Sequence, residues 1–101
     1  MTTYSAGELL VVRFPFTAGQ AAKNRPALVL LDSGDADVVI ARLTSKPPKV
    51  ALDVAVTDWK GAGLRSPATI RVHKTFTVEK SQSHFSIGHL QPTDQIGRAH
   101  V

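Results

Sequence analysis

Apolar residues alternate with polar ones along most of the chain, and this period of two is typical of β-strands. The pattern predicts five short strands separated by segments rich in Gly, Pro, Ser and Asp. The predicted strands span residues 7–14, 25–32, 36–43, 50–58 and 68–73. Near the end, QPTDQ (91–95) has Pro92 and Asp94 where they favour the first turn of a helix. Antiparallel strands followed by a late helix predict a mainly β fold, either a small barrel or a curled sheet.

The two later strands alternate clearly enough to assign each residue to a face. In the strand 50–58, Asp53 falls on the face opposite the four large apolar residues, which are Val50, Leu52, Val54 and Val56. In the strand 68–73, Ala68, Ile70 and Val72 are predicted to face the core. Their polar neighbours are predicted to face outward, and these are Thr69, Arg71 and His73. Residues two apart on a strand share a face, so the Arg and the His are expected to point together.

Length and composition narrow the class of protein. With 101 residues, 43% of them hydrophobic, the chain is expected to form one globular domain. It has no cysteine, which favours a reducing, cytoplasmic location. No segment resembles a signal peptide or a transmembrane helix, so no membrane contact is expected. The formal net charge of +4 comes from scattered basic residues and fits a nucleic acid or an acidic peptide as partner.

The sequence contains no pattern for a metal or a cofactor, and neither is expected. Its four histidines lack zinc-enzyme spacing, and it has no phosphate-binding glycine loop or nucleophile-elbow serine. What remains is a set of cations and hydroxyls at predicted strand ends and loops: Arg25, Thr44, Ser45, Arg71 and His73. RNA cleavage needs no protein nucleophile, because the 2′-hydroxyl attacks its own phosphodiester. Arginine matches phosphate oxygens with its planar fork, and histidine transfers protons near neutral pH.

Each of these residues also has a purely structural interpretation. An outward Arg on a strand is usually solvated, a strand histidine such as His73 is usually structural, and Thr44 and Ser45 often bond their own backbone. Arg25 precedes Pro26, and a following proline favours extended geometry at Arg25. Pro26 itself suits the first position of a strand or an edge. From the residues alone, the chain is a small basic β domain that could contact nucleic acid.

Five segments follow one another at compact spacing: GELLVVRFPFT (7–17), NRPALVL (24–30), VVIARLTS (38–45), GLRSPATIRVHKTFTVEKS (63–81) and IGHLQPTD (87–94). In this order they resemble the MazF/PemK family of toxin endoribonucleases from type II toxin–antitoxin systems. The resemblance covers about residues 5–95, nearly the whole chain.

The resemblance implies a mainly β, SH3-like curled antiparallel barrel with a C-terminal helix, as in CcdB- and MazF-like proteins. It implies a homodimer that cleaves single-stranded RNA at short motifs, without a metal, leaving 2′,3′-cyclic phosphate and 5′-hydroxyl ends. It also implies a cognate antitoxin whose disordered, often acidic segment blocks the RNA groove. The toxin–antitoxin complex of such a family is expected to bind DNA.

The resemblance also assigns catalytic roles to four residues. Arg25 corresponds to the arginine of the family's Arg-Pro motif and would bind the scissile phosphate, and Thr44 would donate a hydrogen bond to the same phosphate. Many PemK-like members read Arg-Val-Asp-Lys where this chain has Arg71-Val72-His73-Lys74. In those members the Arg and the Asp share acid–base work. Here Arg71 is present and His73 replaces the carboxylate, either as an auxiliary proton carrier or only as part of the groove lining.

The remaining RNA contacts are expected from the loop 17–24 and from hydroxyls near the catalytic residues. The residues expected to touch phosphate or bases are Thr17, Gln20, Lys23, Asn24, Ser45 and Thr69.

Two other functions fit the same fold. One is a CcdB-like toxin that poisons DNA gyrase. Such proteins depend on a C-terminal Trp-Gly-Ile ending, and this chain ends in the suspected tail described below, so it is the Arg-Pro and Thr-Ser motifs that favour the nuclease. The other is a non-catalytic SH3-like module that binds RNA or a protein partner, in which Arg25 and Thr44 would affect affinity without giving cleavage products.

The last six residues, IGRAHV (96–101), match one reading frame of a widely used sequencing adapter. We expect the toxin domain to end at residue 95, the tail to be an artefact and the closing helix to be cut short.

Overall fold

All five predicted strands are present in the computed structural model, together with a sixth that the alternation does not reveal. The structure describes residues 3–14, 23–92 and 94, with the backbone alone at residues 14, 23, 84 and 85. The strands are β1 (Glu8–Phe14), β2 (Lys23–Leu31), β3 (Asp37–Thr44), β4 (Asp53–Val56), β5 (Ala68–Glu79) and β6 (Ser83–His89). A 3₁₀ turn, Lys80–Gln82, joins β5 to β6. The prediction of a mainly β fold is therefore confirmed.

The six strands form one antiparallel sheet in the order β4-β5-β3-β2-β1-β6. The central strands β1, β2 and β3 carry apolar residues on both faces, because each face of the sheet packs against a separate apolar cluster. One cluster contains Leu9, Leu28, Ala41, Leu43, Val56, Ala62, Ile70 and Leu90. The other contains Leu10, Val12, Ala27, Val29, Val38, Ile40 and Val78. This double burial explains why β2 has a continuous apolar run.

Strand β4 is shorter than predicted because a turn precedes it. Val50 and Leu52, predicted to share one face with Val54 and Val56, are each 50% exposed. The carboxylate of Asp53 accepts the backbone N–H groups of Lys49 at 3.0 Å and Val50 at 3.4 Å, and the Asp53 N–H donates to the Val50 carbonyl at 3.0 Å. These bonds hold residues 49–53 in a turn, so the extended strand begins only at Asp53.

Thr69 is the second correction. It was predicted to face outward, but it is only 2% exposed. Its strand, β5, lies between β3 and β4, and Thr69 is the cross-strand partner of both Thr44 and Ala55. Neighbours on both sides therefore cover its small side chain.

Strand β5 also contains an irregularity. Arg71 pairs with Arg42 of β3, but the next pair joins Ala41 to Thr75, so residues 72–74 are inserted relative to β3. Such insertions re-aim side chains and occur next to active sites.

The predicted late helix starts where expected. Pro92 and Asp94 are helical, and the N–H of Asp94 donates to the Gln91 carbonyl at 3.0 Å. The suspected tail, 96–101, lies outside the described residues. In the part of the chain that the structure describes, no helix is long and apolar enough to cross a membrane.

Candidate functional site

A cleft of about 620 Å³ opens where one end of β2 and β3 meets the loop before β5. Its wall combines apolar side chains with cationic and hydroxyl groups, a composition that suits a nucleic-acid strand with bases and phosphates. The cleft is lined by Val11, Arg25, Pro26, Leu43, Thr44, Ser45, Leu64, Arg65, Ser66, Pro67, Ala68, Ser86 and Ile87.

Arg25 lies at this cleft in an extended segment. Strand β2 begins at Lys23 and lies between β3 and β1, so Pro26 is at neither the first position of the strand nor an edge of the sheet, the two positions that its residue type favours. Strand β2 pairs with β3 from Ala27 onward, so Pro26 lies just beyond the end of the β2–β3 hydrogen-bond ladder. Arg25 is half-buried, and no described carboxylate forms an ion pair with it. Its guanidinium is therefore available for an anion.

Thr44 is the last residue of β3 and lies on the same side of the cleft. Continuing the β2–β3 register by two residues beyond Ala27 places Arg25 opposite Thr44. The hydroxyl oxygen of Thr44 accepts the Lys46 N–H at 3.3 Å, which is the turn-forming role that its sequence context favours. That bond uses the oxygen as acceptor, so the hydroxyl hydrogen remains able to donate to a phosphate oxygen. Ser45 follows as an exposed residue in the same cleft wall.

Arg71 and His73 form a second polar group around the carboxylate of Asp53. The Nε of Arg71 lies 3.5 Å from Oδ1 of Asp53, and Nδ1 of His73 lies 3.6 Å from the same oxygen. Arg71 Nη2 donates to His73 Nε2 at 3.3 Å, which confirms that these two side chains point together. Because a guanidinium only donates, the proton of the neutral His73 ring is assigned to Nδ1, on the side of Asp53.

The carboxylate of Asp53 is held ionised by its surroundings. Its side chain is only 2% exposed. The N–H of Lys49 is the main cause that lowers the pKa of Asp53, with smaller contributions from the N–H of Val50 and from the charges of Arg71 and His73. Burial opposes this shift without reversing it. Asp53 thus supplies a negative charge beside the side chains of Arg71 and His73 on β5.

Arg42 lies on β3, between the strand that carries Arg25 and the strand that carries Arg71 and His73. It pairs directly with Arg71 of β5 and with Ala27 of β2, and it is half-buried. Burial is the first cause that lowers the pKa of Arg42, followed by repulsion from Arg25 and Arg71. The three arginines therefore lie close enough to interact electrostatically.

A protein-family model described as "PemK-like, MazF-like toxin of type II toxin-antitoxin system" matches residues 5–96. The chain belongs to this toxin family. The matched range is nearly the range over which the order of motifs indicates the same family, so that identification is confirmed.

Solved structures confirm the fold of this toxin. "Mycobacterium tuberculosis toxin MazF-mt6" is 21% identical, with a TM-score of 0.75 over 92% of this chain and 89% of that one. "Endoribonuclease from Mycobacterial species" is 18% identical, with a TM-score of 0.74 over 95% and 84%. "Endoribonuclease in complex with its cognate antitoxin from Mycobacterial species" is 20% identical, with a TM-score of 0.69 over 90% and 82%. No curated protein matches the chain.

Of the predicted site residues of the toxin, three lie together in the cleft: Arg25, Thr44 and Ser45. Arg71 and His73 lie with Asp53 on β4 and β5, outside the cleft lining. Asn24 is exposed beside Arg25, whereas Thr69 is buried. Thr17 and Gln20 lie outside the described residues, and Lys23 is described by its backbone alone. Their RNA contacts stay predictions.

The structure adds residues that the sequence analysis missed. Arg65 and Ser66 line the cleft from the loop before β5. The sequence does contain a signal for them, because a basic residue in a loop rich in Gly, Ser and Pro is a candidate for ligand binding. Asp53 and Arg42 become visible only through the cross-strand register, which no local pattern contains. Among the described residues, no group of three or more His, Cys, Asp or Glu side chains could hold a metal ion.

Proposed function

We propose that this toxin is an endoribonuclease that cleaves single-stranded RNA at short sequence motifs. It needs no metal cofactor, and it leaves 2′,3′-cyclic phosphate and 5′-hydroxyl ends. The observation that carries the proposal is that Arg25 and Thr44, from adjacent strands, line one open cleft. Two of the similar solved structures, which share the fold, are described as endoribonucleases.

In this reaction the RNA 2′-oxygen attacks its own phosphorus, and the bond from phosphorus to the 5′-oxygen breaks. One proton leaves the 2′-hydroxyl, and one proton arrives at the departing 5′-oxygen. Arg25 binds the non-bridging oxygens with its planar fork, and Thr44 donates to the same phosphate, so charge is stabilised where it develops. Both groups are positioned by strands rather than by free loops, which limits the reorganisation needed during the reaction.

His73 is the auxiliary proton carrier of the proposed mechanism. Its Nε2 accepts from Arg71 in the free protein. When Arg71 turns toward the substrate phosphate, Nε2 becomes able to take or give a proton, while Asp53 remains on the Nδ1 side of the ring. Arg71 and His73 thus act as one unit with a carboxylate that the adjacent strand supplies.

The proposed partners follow from the family and from one similar structure. A cognate antitoxin binds the toxin; a similar structure is described as "Endoribonuclease in complex with its cognate antitoxin from Mycobacterial species". On this chain, the antitoxin is proposed to cover the cleft. The toxin works in the cytoplasm as a homodimer, with single-stranded RNA as substrate. The positive net charge of +4 favours both RNA and an acidic antitoxin segment.

The test is the end chemistry of RNA incubated with the protein in EDTA. Wild-type protein is expected to give discrete fragments that end in 2′,3′-cyclic phosphate. Arg25→Ala and Thr44→Val are each expected to lower the cleavage rate by about 10²–10³-fold, the typical loss for one preorganised donor. Lys60→Ala is the matched control, because Lys60 is exposed in the turn before β5 and its Nζ lies 5.4 Å from the centre of the Trp59 ring.

Two results would contradict the proposal. Intact RNA across a mixed pool of sequences would remove the nuclease and favour gyrase or a non-catalytic partner as the target. Cleavage that survives Arg25→Ala at the rate of Lys60→Ala would place the reaction elsewhere in the protein.

A further inference from the structure

Three arginines lie on one face of three adjacent strands, β5, β3 and β2. Direct cross-strand partners share a face, so Arg71, Arg42 and Ala27 lie in one row across the sheet. Arg25 is two residues before Ala27 in β2 and shares its face. Arg42 is therefore a direct neighbour of Arg71 and a diagonal neighbour of Arg25. Diagonal neighbours on a sheet are about 7–8 Å apart, within reach of long side chains.

The charge of this row is not balanced by the described residues. Asp53 is paired with Arg71, at the β4 end of the row, and no described carboxylate forms an ion pair with Arg42. The Nε of Arg42 is buried and has no hydrogen-bond partner among the described residues. A buried donor without an acceptor is unfavourable, and so is a row of like charges. An arrangement of this kind is stabilised when an anion binds between the side chains.

Among anions, a phosphate group fits the row best. Each guanidinium presents a planar fork that matches two phosphate oxygens, and rows of arginines recur where phosphates are bound. The row also runs from Arg25, at the cleft, to the group formed by Asp53, Arg71 and His73. An extended strand with a phosphate at each nucleotide could follow this direction across the sheet.

We propose that Arg42 binds a phosphate of the RNA next to the scissile phosphate. It thereby joins the Arg25–Thr44 pair and the Asp53–Arg71–His73 group into one continuous phosphate-binding row. The inference rests on the proposed function in taking single-stranded RNA as the ligand. Arg42 itself touches a neighbouring phosphate and not the reacting atoms, so its loss affects binding more than chemistry.

The first experiment measures binding without cleavage. An RNA oligonucleotide with 2′-O-methyl groups throughout cannot be cut, because its nucleophile is blocked, and its Kd is measured by fluorescence anisotropy over a range of salt concentrations. Arg42→Gln is expected to weaken binding about tenfold or more, as for a lost charged hydrogen bond. It is also expected to reduce the magnitude of the slope of log K against log salt by about 0.7, the value for one phosphate contact on a single strand. Lys60→Gln removes the same charge from the turn before β5 and is expected to bind like wild type.

A second experiment identifies the phosphate. Single methylphosphonate linkages, which are uncharged, are placed one at a time along the oligonucleotide. Wild-type protein loses affinity at each contacted linkage, and Arg42→Gln is expected to become insensitive at one linkage while keeping its sensitivity at the others. Circular dichroism checks that the variant is folded. If Arg42→Gln does not fold, Arg42→Met replaces it in both experiments, because its unbranched apolar side chain also removes the charge and the buried donor.

The outcomes separate this inference from the proposed function. Equal affinity and equal salt slope for Arg42→Gln and Lys60→Gln would overturn the role of Arg42, whatever the cleavage assay shows. Failure of wild-type protein to bind the oligonucleotide would also overturn it. Binding that depends on Arg42, together with unmodified RNA that stays intact, would support the phosphate row and reject the nuclease.

Discussion

Asp53 shows how one side chain can serve two structural purposes. Its Oδ2 accepts the N–H groups of Lys49 and Val50 and holds the turn before β4. Its Oδ1 lies within 3.6 Å of nitrogen atoms of both Arg71 and His73. A residue in the Asp53 position therefore orients two candidate site residues through a carboxylate that is itself oriented by the backbone.

If Arg71, His73 and Asp53 act as a unit, their substitutions are not additive. We expect His73→Gln to lower the cleavage rate by about 10²-fold, the lower range for loss of a proton-transfer group. We expect Asp53→Asn to lower it by less and to alter the same limb of the pH–rate profile, because the amide keeps the turn and removes the charge. The double variant should be no slower than His73→Gln alone.

Single-turnover cleavage rates measured over a range of pH test this coupling, with Asp53→Glu as the rescue. Losses that multiply in the double variant would show that the two residues act independently. An unchanged rate and pH profile in both single variants would remove the pair from the mechanism and leave it as part of the groove lining.

At the scale of the elements, two glycines allow the turn at residues 59–63 to pack on β6. A Cβ at Gly88 would collide with the backbone oxygen of Ala62, and one at Gly63 would lie 2.7 Å from the oxygen of Ile87. The turn leads directly into the loop that carries Leu64 and Arg65 to the cleft. The position of the cleft wall therefore depends on close contact between two backbones.

We expect Gly88→Ala to destabilise the fold by about 2–3 kcal/mol, the upper range for overpacking, because a backbone oxygen cannot move as a flexible side chain can. Gly34→Ala is the control. Gly34 has a φ of +92° with no atom within 4 Å of an added Cβ, so only backbone strain of about 1–2 kcal/mol is expected there. Urea unfolding of both variants provides the comparison, and a smaller loss at Gly88 than at Gly34 would contradict the close-packing argument.

The elements also show what a single sequence can reveal. Strands β1, β2 and β3 were predicted to within two residues at each end, because their apolar residues are buried inside the sheet. The extension of β5 beyond His73 and the whole of β6 were missed. Their segments, KTFTVE and SHFSIGH, carry polar residues throughout and become strands through pairing with β3 and β1.

The residues of the candidate site also differ in whether the sequence alone could indicate them. Arg25 and Thr44 could be singled out from the sequence because each lies in a short segment, NRPALVL or VVIARLTS, that resembles the family. Both line the cleft, and their catalytic roles stay predictions. Asp53 and Arg42 could not, because their roles depend on which residue of a distant strand lies opposite them. Thr69 was misassigned for the same reason, since alternation assigns a face and does not show which neighbours cover it.

At the scale of the whole molecule, Asp32 links three separate segments. Its carboxylate accepts the Tyr4 N–H at 2.7 Å and the Gly34 N–H at 2.8 Å, and it lies 3.0 Å from Nζ of Lys80. The N–H of Tyr4 is the main cause that lowers the pKa of Asp32 from 3.8 to about 2, followed by the N–H of Gly34. The N-terminal segment, the β2–β3 turn and the 3₁₀ turn are thus connected through one ionised group.

This link predicts how stability depends on pH. Because the folded-state pKa is depressed, the unfolded chain binds the proton more readily, and the stabilisation is present above about pH 4. It is lost as the pH falls toward 2. We expect Asp32→Asn to be less stable than wild type at pH 7 and to show a smaller loss of stability between pH 5 and pH 2. The pKa of Asp53 is also lowered, so part of the loss of stability at low pH is expected to remain in the Asp32→Asn variant.

Thermal unfolding followed by circular dichroism at several pH values measures this dependence, with Asp35→Asn as a control on the exposed β2–β3 turn. Parallel curves for wild type and Asp32→Asn would show that Asp32 does not couple protonation to folding.

The loop at residues 64–67 has a consequence for how the ligand preference of this toxin could be varied. It contributes Leu64, Arg65, Ser66 and Pro67 to the cleft, while Arg25 and Thr44 reach the same cleft from the sheet. Its entry is fixed by a bond from the Leu64 N–H to the Trp59 carbonyl at 2.9 Å and by the glycine contacts with β6. If the cleft binds RNA as proposed, randomised side chains at 65 and 66 are expected to vary base preference while the backbone of the cleft wall stays in place. If the proposed function holds, the phosphate-binding pair Arg25 and Thr44 and the loop wall can change independently in the same small domain.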